Sequence, residues 1–228
     1  MKTIEYSYFL EVNMTYNEII KNELINTYIE EADNALKALG YTEHSFPHVS
    51  IVSKRVEYIL KTLGYDDRTV ELGKIAGYLH DIGNLVNRVD HSQSGALIAF
   101  RILSDLKFPP REIALITSAI GNHDEGTGVP VSPIAAALII ADKSDVRRTR
   151  ARSKEHDIHY LVNYSAMNTK LIINEDHTII KLLLTVDTNY SSVMDYLEIF
   201  MHRMILCKEA AKLLGMEFKL IFNDQSLI

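Results

Sequence analysis

Six residues in this chain have side chains suited to holding a divalent cation: His48, His80, Asp81, His91, His123 and Asp142. The most informative two are adjacent. His80-Asp81 closes the apolar run "GKIAGYLHDIGN", setting a nitrogen donor beside an anionic oxygen donor where a hydrophobic segment meets a polar loop. Both can meet one ion, or the carboxylate can reach two. A carboxylate on an apolar segment is costly unless a cation or a donor compensates it. The structural alternative is therefore a core histidine bonded to Asp81. Two further His-Asp dipeptides sit in different settings: His123-Asp124 in the glycine-rich "GNHDEGTG" and His156-Asp157 in the charged "SKEHDIHY". His48 lies 32 residues before His80, and Asp142 lies 61 after Asp81. Separations of that size define no local site, so a bundle must bring several helix ends together.

The elements to do this are legible. Residues 17–39 carry apolar side chains at helical spacing, with Gly40 as a stop. A second helix starts near Pro47 and runs to about residue 63. A third is capped by Asp66 or Asp67, runs into His80-Asp81, and has Gly83 as its expected stop. "DHSQSGALIAFRILSDL" and "REIALITSAI" after Pro109-Pro110 give two more. "SPIAAALIIADKSDVRRTRARSK" predicts another with no glycine or proline after Pro133. Beyond residue 156, "KLIIN", "EDHT" and "IIKLLLTVD" read as a β-hairpin. A helix over 190–214 follows, and "EFKLIFN" reads as a last strand. The expected fold is mainly α: a helical bundle over 1–155 with a small α+β extension (antiparallel hairpin, helix, strand) over 156–228 packed on it.

Taken in order, His48, His80-Asp81 and Asp142 in "IIADKSDV" resemble the HD superfamily of metal-dependent phosphohydrolases across roughly residues 44–152. The resemblance implies a helical fold in which those four residues ligate one metal. His91 in "HSQSGA" and His123 in "GNHDE" match the extra histidines of its two-metal branches, which include dinucleoside tetraphosphate hydrolases. The dipeptide alone is unspecific, whereas the ordered set in its helix contexts is not. The consecutive histidines and Gly-Tyr-Pro signature of the cyclic-di-GMP phosphodiesterase branch are missing. So is the nucleotide-synthesising domain fused to guanosine tetraphosphate hydrolases.

In the two-metal form Asp81 bridges, His48, His80 and Asp142 complete one site, and His91 with His123 complete the other. One or two ions among Mn, Fe, Co, Ni and Zn suit all-His/Asp ligation. Such an ion lowers the pKa of bound water towards about 7 and neutralises phosphate oxygens. The resulting expectation is a hydrolase of a phosphoester or phosphoanhydride, with a nucleotide or related small molecule as substrate. A noncatalytic metal- and nucleotide-binding sensor is the alternative. Asp81, Asp124 and Lys143 are the catalytic candidates, although Asp124 and Glu125 also read as solvated loop acids. If the helix persists, Lys143, Arg147, Arg150 and Lys154 form one stripe that could hold phosphate. A solvated face paired with Asp145 and Glu155 is the plainer reading.

The remaining features narrow the class. The formal charge of −6 argues against nonspecific nucleic-acid binding, despite "RRTRARSK". No apolar run reaches the roughly 18 residues of a membrane span, and "MKTIEYSYFLEVNM" has no signal-peptide core. The expectation is thus a cytoplasmic protein without a membrane partner. The single Cys207 rules out an intramolecular disulfide or a Cys-rich zinc site and reads as a small buried residue. His44, His159, His177 and His202 have weaker claims as ligands, and the extension could shape substrate choice or a homodimer contact.

Overall fold

The computed structural model describes residues 14–152 and 158–227. Lys154, Glu155 and the His156-Asp157 pair lie outside the described residues. The helical part comprises α1 (Tyr16–Ile19), α2 (Glu23–Ala38), α3 (Phe46–Thr62), α4 (Asp67–Leu79), α5 (His91–Asp105), α6 (Pro110–Gly121) and α7 (Pro133–Lys143). The extension follows as α8 (Ile158–Ser165), β1 (Ala166–Ile173), β2 (Ile179–Val186), α9 (Val193–Leu213), β3 (Glu217–Phe222) and β4 (Gln225–Ser226). Three helices begin with proline in the first turn, where no N–H bond is lost. Asp66 caps α4 by accepting from the Thr69 N–H at 2.9 Å.

Helix α7 is the hub. Ile134 through Ala141 are all buried, so the helix is apolar on every side. It packs against α3, α4, α6 and α9. That arrangement explains why the extension is not a loose appendage: α9 covers a face of α7 that the bundle leaves open. One apolar core runs through both parts, from Ile25 and Val52 to Phe218 and Leu220.

The extension carries a four-stranded sheet in the order β1-β2-β3-β4. β1 and β2 form the antiparallel hairpin, with a register shift between Ala166 and Asn168. β2 pairs with β3 in parallel, and α9 supplies the crossover. Ile180, Leu182 and Leu184 of β2 and Phe218, Leu220 and Phe222 of β3 are buried. The Tyr196 ring of α9 packs edge-on against Phe222 at 5.6 Å.

Several expectations are corrected. The helix over 17–39 is two, because Asn22 caps α2 with its side chain on the Ile25 N–H. α4 ends at Leu79 rather than at Gly83, and Gly83 sits in a short 3-10 turn, Ile82–Leu85. There a Cβ would collide with the His91 carbonyl, so glycine is required for close approach of this turn to α5. Helix α7 stops at Lys143 and does not reach 154. Arg147 is extended, and only Arg148–Arg150 form a 3-10 turn, so among the described residues Lys143, Arg147 and Arg150 share no helical stripe. Helix α8 was not expected, and β4 follows the strand expected to be last.

Candidate metal centre

The histidines are fixed before any ligand is considered. His80 caps the end of α4, and His123 follows α6, where last-turn carbonyls lack helical partners. Each Nδ1 bonds the carbonyl three residues back: His80 to Gly77 at 2.8 Å and His123 to Ile120 at 2.6 Å. His91 opens α5 and does the same with Arg88 at 3.1 Å. His48, in the first turn of α3, instead bonds the Asp145 carboxylate through Nδ1 at 2.8 Å. With every Nδ1 donating to an oxygen, all four Nε2 lone pairs face a common centre. The rings form an edge-to-face row in the order His48, His80, His123, His91, at centroid spacings of 5.1, 5.0 and 5.0 Å.

The Asp81 carboxylate divides this row. Its Oδ2 lies 3.4 Å from His48 Nε2 and 3.2 Å from His80 Nε2. Its Oδ1 lies 3.5 Å from His91 Nε2 and 3.9 Å from His123 Nε2. Asp142 joins the first group through Oδ1, 3.4 Å from His48 Nε2 and 3.7 Å from His80 Nε2. Asn84 steadies Asp81, donating Nδ2–H to Oδ1 at 3.1 Å. The six residues considered at the outset therefore meet in one place.

The donor set fits divalent cations. His48 and His80 oppose Nε2 atoms at 3.2 Å, as do His91 and His123. Facing lone pairs at that distance repel unless a positive charge sits between them. Asp81 Oδ2 is buried and has no hydrogen-bond partner, a deficit that a cation would remove. Ligand bonds of about 2.1 Å in tetrahedral geometry put donor atoms about 3.4 Å apart, which is close to the spacing within the first group.

Electrostatically the two groups differ. Burial disfavours charge on His80, yet Asp81 and Asp142 outweigh it and push its pKa up to about 10. Burial likewise opposes ionisation of Asp81 and Asp142. His80 in the first case, and Lys143 with His48 in the second, hold these carboxyls well below their usual range. The first group thus calls for positive charge at its centre. His91 and His123 are pushed below the ordinary imidazole value, His91 by burial and His123 by burial together with its neighbours His80 and His91. Both shifts favour the neutral imidazole that a metal ligand needs.

A layer behind the candidate ligands was legible only in part, Glu125 and Lys143 standing out in the sequence but not their link to the extension. Asp145 is buried, which opposes its ionisation, but the His48 N–H and Arg150 and Arg147 hold it well below the usual carboxylate range. Lys143 contacts Asp142 at 2.8 Å and Glu125 at 2.6 Å, and Arg203 of α9 reaches Glu125 at 2.9 Å. An ion-pair chain thereby links the extension to Asp142, one of the candidate ligands. Nothing in the sequence marks Arg203, which lies 61 residues from Asp142.

The other candidates are placed as follows. Asp124 lies beside the second group, with Oδ1 3.9 Å from His91 Nε2. Arg147 is taken up by Asp145 at 2.7 Å and Glu43 at 3.2 Å and does not line the cavity. Arg150 lines it but is buried, donating to the Glu43 and Asp145 carbonyls at 2.8 and 2.7 Å. Arg152 forms a two-point pair with Asp33, and Arg148 stacks on Tyr164. The run 147–152 stitches the chain to itself. His44 and His159 line the cavity, whereas His177 and His202 are exposed elsewhere. Cys207 is buried, and burial pushes its thiol up.

The centre opens into a cavity of about 450 Å³. Tyr41 and His44 of the α2–α3 loop form one wall; Tyr160, Asn163, Phe200 and Arg203 of the extension form another.

Residues 46–148 match the family model described as HD domain, a span containing all six ligand candidates. Residues 46–148 form an HD domain, which places the chain in the HD superfamily. An uncharacterized protein of Methanocaldococcus jannaschii is 30% identical over 173 residues, and the chain spans 66% of that relative's length. The crystal structure of a predicted HD superfamily hydrolase from an uncultured Thermotogales bacterium superposes with a TM-score of 0.45 at 24% identity, covering 59% of this chain and 75% of that one. Among the described residues, no helix is long and apolar enough to cross a membrane.

Proposed function

We propose that the protein hydrolyses a phosphoester or phosphoanhydride of a nucleotide or related small molecule at a centre where Asp81 and two histidine groups would hold two divalent ions. The observation that carries this reading is the split of the Asp81 carboxylate between two histidine groups, beside a cavity that Asp81, His91 and Asp142 line. His48, His80, Asp142 and Asp81 would hold one ion, and His91, His123 and Asp81 the other, drawn from Mn, Fe, Co, Ni or Zn. When bound, such ions lower the pKa of a water towards about 7 and neutralise phosphate oxygens.

The chain's own groups supply the rest. In the reaction a water oxygen adds to phosphorus, the bond from phosphorus to the leaving oxygen breaks, and a proton moves from the water to the leaving group. Asp124 is the proton carrier in this reading: it borders the second group and, among the described residues, pairs with no lysine or arginine. Lys143 acts through Asp142, holding it ionised and in place. Tyr41, Tyr160 and Phe200 offer faces to the organic part of the substrate and keep water from it.

The test is to load purified protein separately with Mn, Fe, Co and Ni and assay nucleotides, dinucleoside polyphosphates and model phosphoesters. Turnover that Asp81→Ala reduces to background is expected. Nucleotide binding with no Asp81-dependent turnover would contradict the proposal and favour a sensor.

A further inference from the structure

We propose that Arg88 is the phosphate clamp of this cavity, and that the site is built for a single phosphoryl group, that of a phosphate monoester. This deepens the hydrolase reading above and rests on it for the reaction, though not for the binding.

Among the described residues, the lysines and arginines lining the cavity are Arg88, Lys143, Arg150, Arg152 and Arg203. Four are committed to the protein's own carboxylates. Lys143 contacts Glu125 and Asp142, Arg203 contacts Glu125, Arg152 pairs with Asp33, and Arg150 lies 3.5 Å from Asp145. Arg88 has no carboxylate partner among the described residues. Its guanidinium contacts are neutral: Nη1 donates to Asn84 Oδ1 at 3.4 Å and lies 3.3 Å from His91 Nε2, whose lone pair a bound ion would take instead. Tyr41 flanks it, with the ring centroid 5.9 Å from Cζ.

Its position is fixed by its own backbone. The Arg88 carbonyl accepts from His91 Nδ1, so main chain and side chain flank the same imidazole. A guanidinium anchored there stands beside the second histidine group and faces the cavity. Its planar fork presents parallel N–H donors to two phosphate oxygens at once, which a lysine ammonium cannot do. A diphosphate or triphosphate brings further oxyanions, and the remaining cations of the wall are already occupied. The charge pattern therefore favours one phosphoryl group, with Tyr41 beside it for the organic moiety.

Calorimetry on the Mn-loaded full chain, with inorganic phosphate as the probe, decides the clamp. Arg88→Ala should weaken phosphate binding at least about tenfold. Arg88→Lys should recover part of it, with bound Mn per chain unchanged. Equal affinity in wild type and Arg88→Ala, no phosphate binding by wild type, or loss of Mn from Arg88→Ala would each overturn it. In turnover, nucleoside monophosphates should give a higher kcat/KM than the corresponding triphosphates, and the reverse order overturns the single-phosphoryl assignment. Arg88-dependent phosphate binding without turnover of any phosphoester would sink the hydrolase reading and leave the clamp standing.

Discussion

Each imidazole of the centre spends its Nδ1 proton on a fixed oxygen, but the four oxygens are not equivalent. Gly77, Ile120 and Arg88 offer carbonyls, whereas His48 alone leans on a carboxylate, that of Asp145. A carboxylate partner raises the basicity of a ligating imidazole more than a carbonyl does. Asp145→Asn keeps an acceptor for His48 but removes the charge. Metal affinity should fall by roughly 10- to 100-fold, measured by competition against a chelator; an unchanged affinity would reduce Asp145 to a packing role. The candidate ligands could be picked out because their ordered spacing on apolar helix ends resembles the HD pattern, although a buried His–Asp pair has structural uses as well. Asp145 could not, since in "DKSDVRRTR" it looks like any acid beside arginines, and only the turn after α7 swings it towards His48.

Among the elements, α3, α4, α6 and α9 could be read from apolar spacing and from their prolines and caps. The failures have different causes. α7 was carried too far because no glycine or proline follows Pro133. The stop is tertiary: the Ser144 hydroxyl bonds the Ala141 carbonyl and accepts from Arg55, and the chain then turns so that Asp145 meets α3. The break after α1 had a local signal, the capping Asn22, that an uninterrupted apolar pattern hid. The reach of α9 to the centre through Arg203 was not legible at all. Arg203→Ala leaves Glu125 with Lys143 as its remaining cation. Breaking a fully buried pair costs about 3–5 kcal/mol. Arg203 and Glu125 keep 27% and 23% side-chain exposure, so a loss of about 2 kcal/mol is expected in chemical denaturation. Arg203→Lys should restore most of it, and unchanged stability in Arg203→Ala would show that the contact is idle.

At the scale of the whole molecule, the HD domain supplies the candidate ligands and the extension supplies part of the chamber beside them. Phe200 and Arg203 of α9 and Tyr160 and Asn163 of α8 line the same cavity as Asp81 and Asp142. The extension therefore belongs to the site, and the shared apolar core explains how it is held there. All of this depends on Asp81 sitting between two cations. The most direct measurement is a crystal structure of the Mn-loaded protein with anomalous scattering recorded at the metal edge. The account predicts two anomalous peaks about 3.5–4 Å apart, one among His48, His80 and Asp142 and one beside His91 and His123, with an Asp81 oxygen on each. No peak among His48, His80 and Asp142, or metal bound away from Asp81, would contradict it.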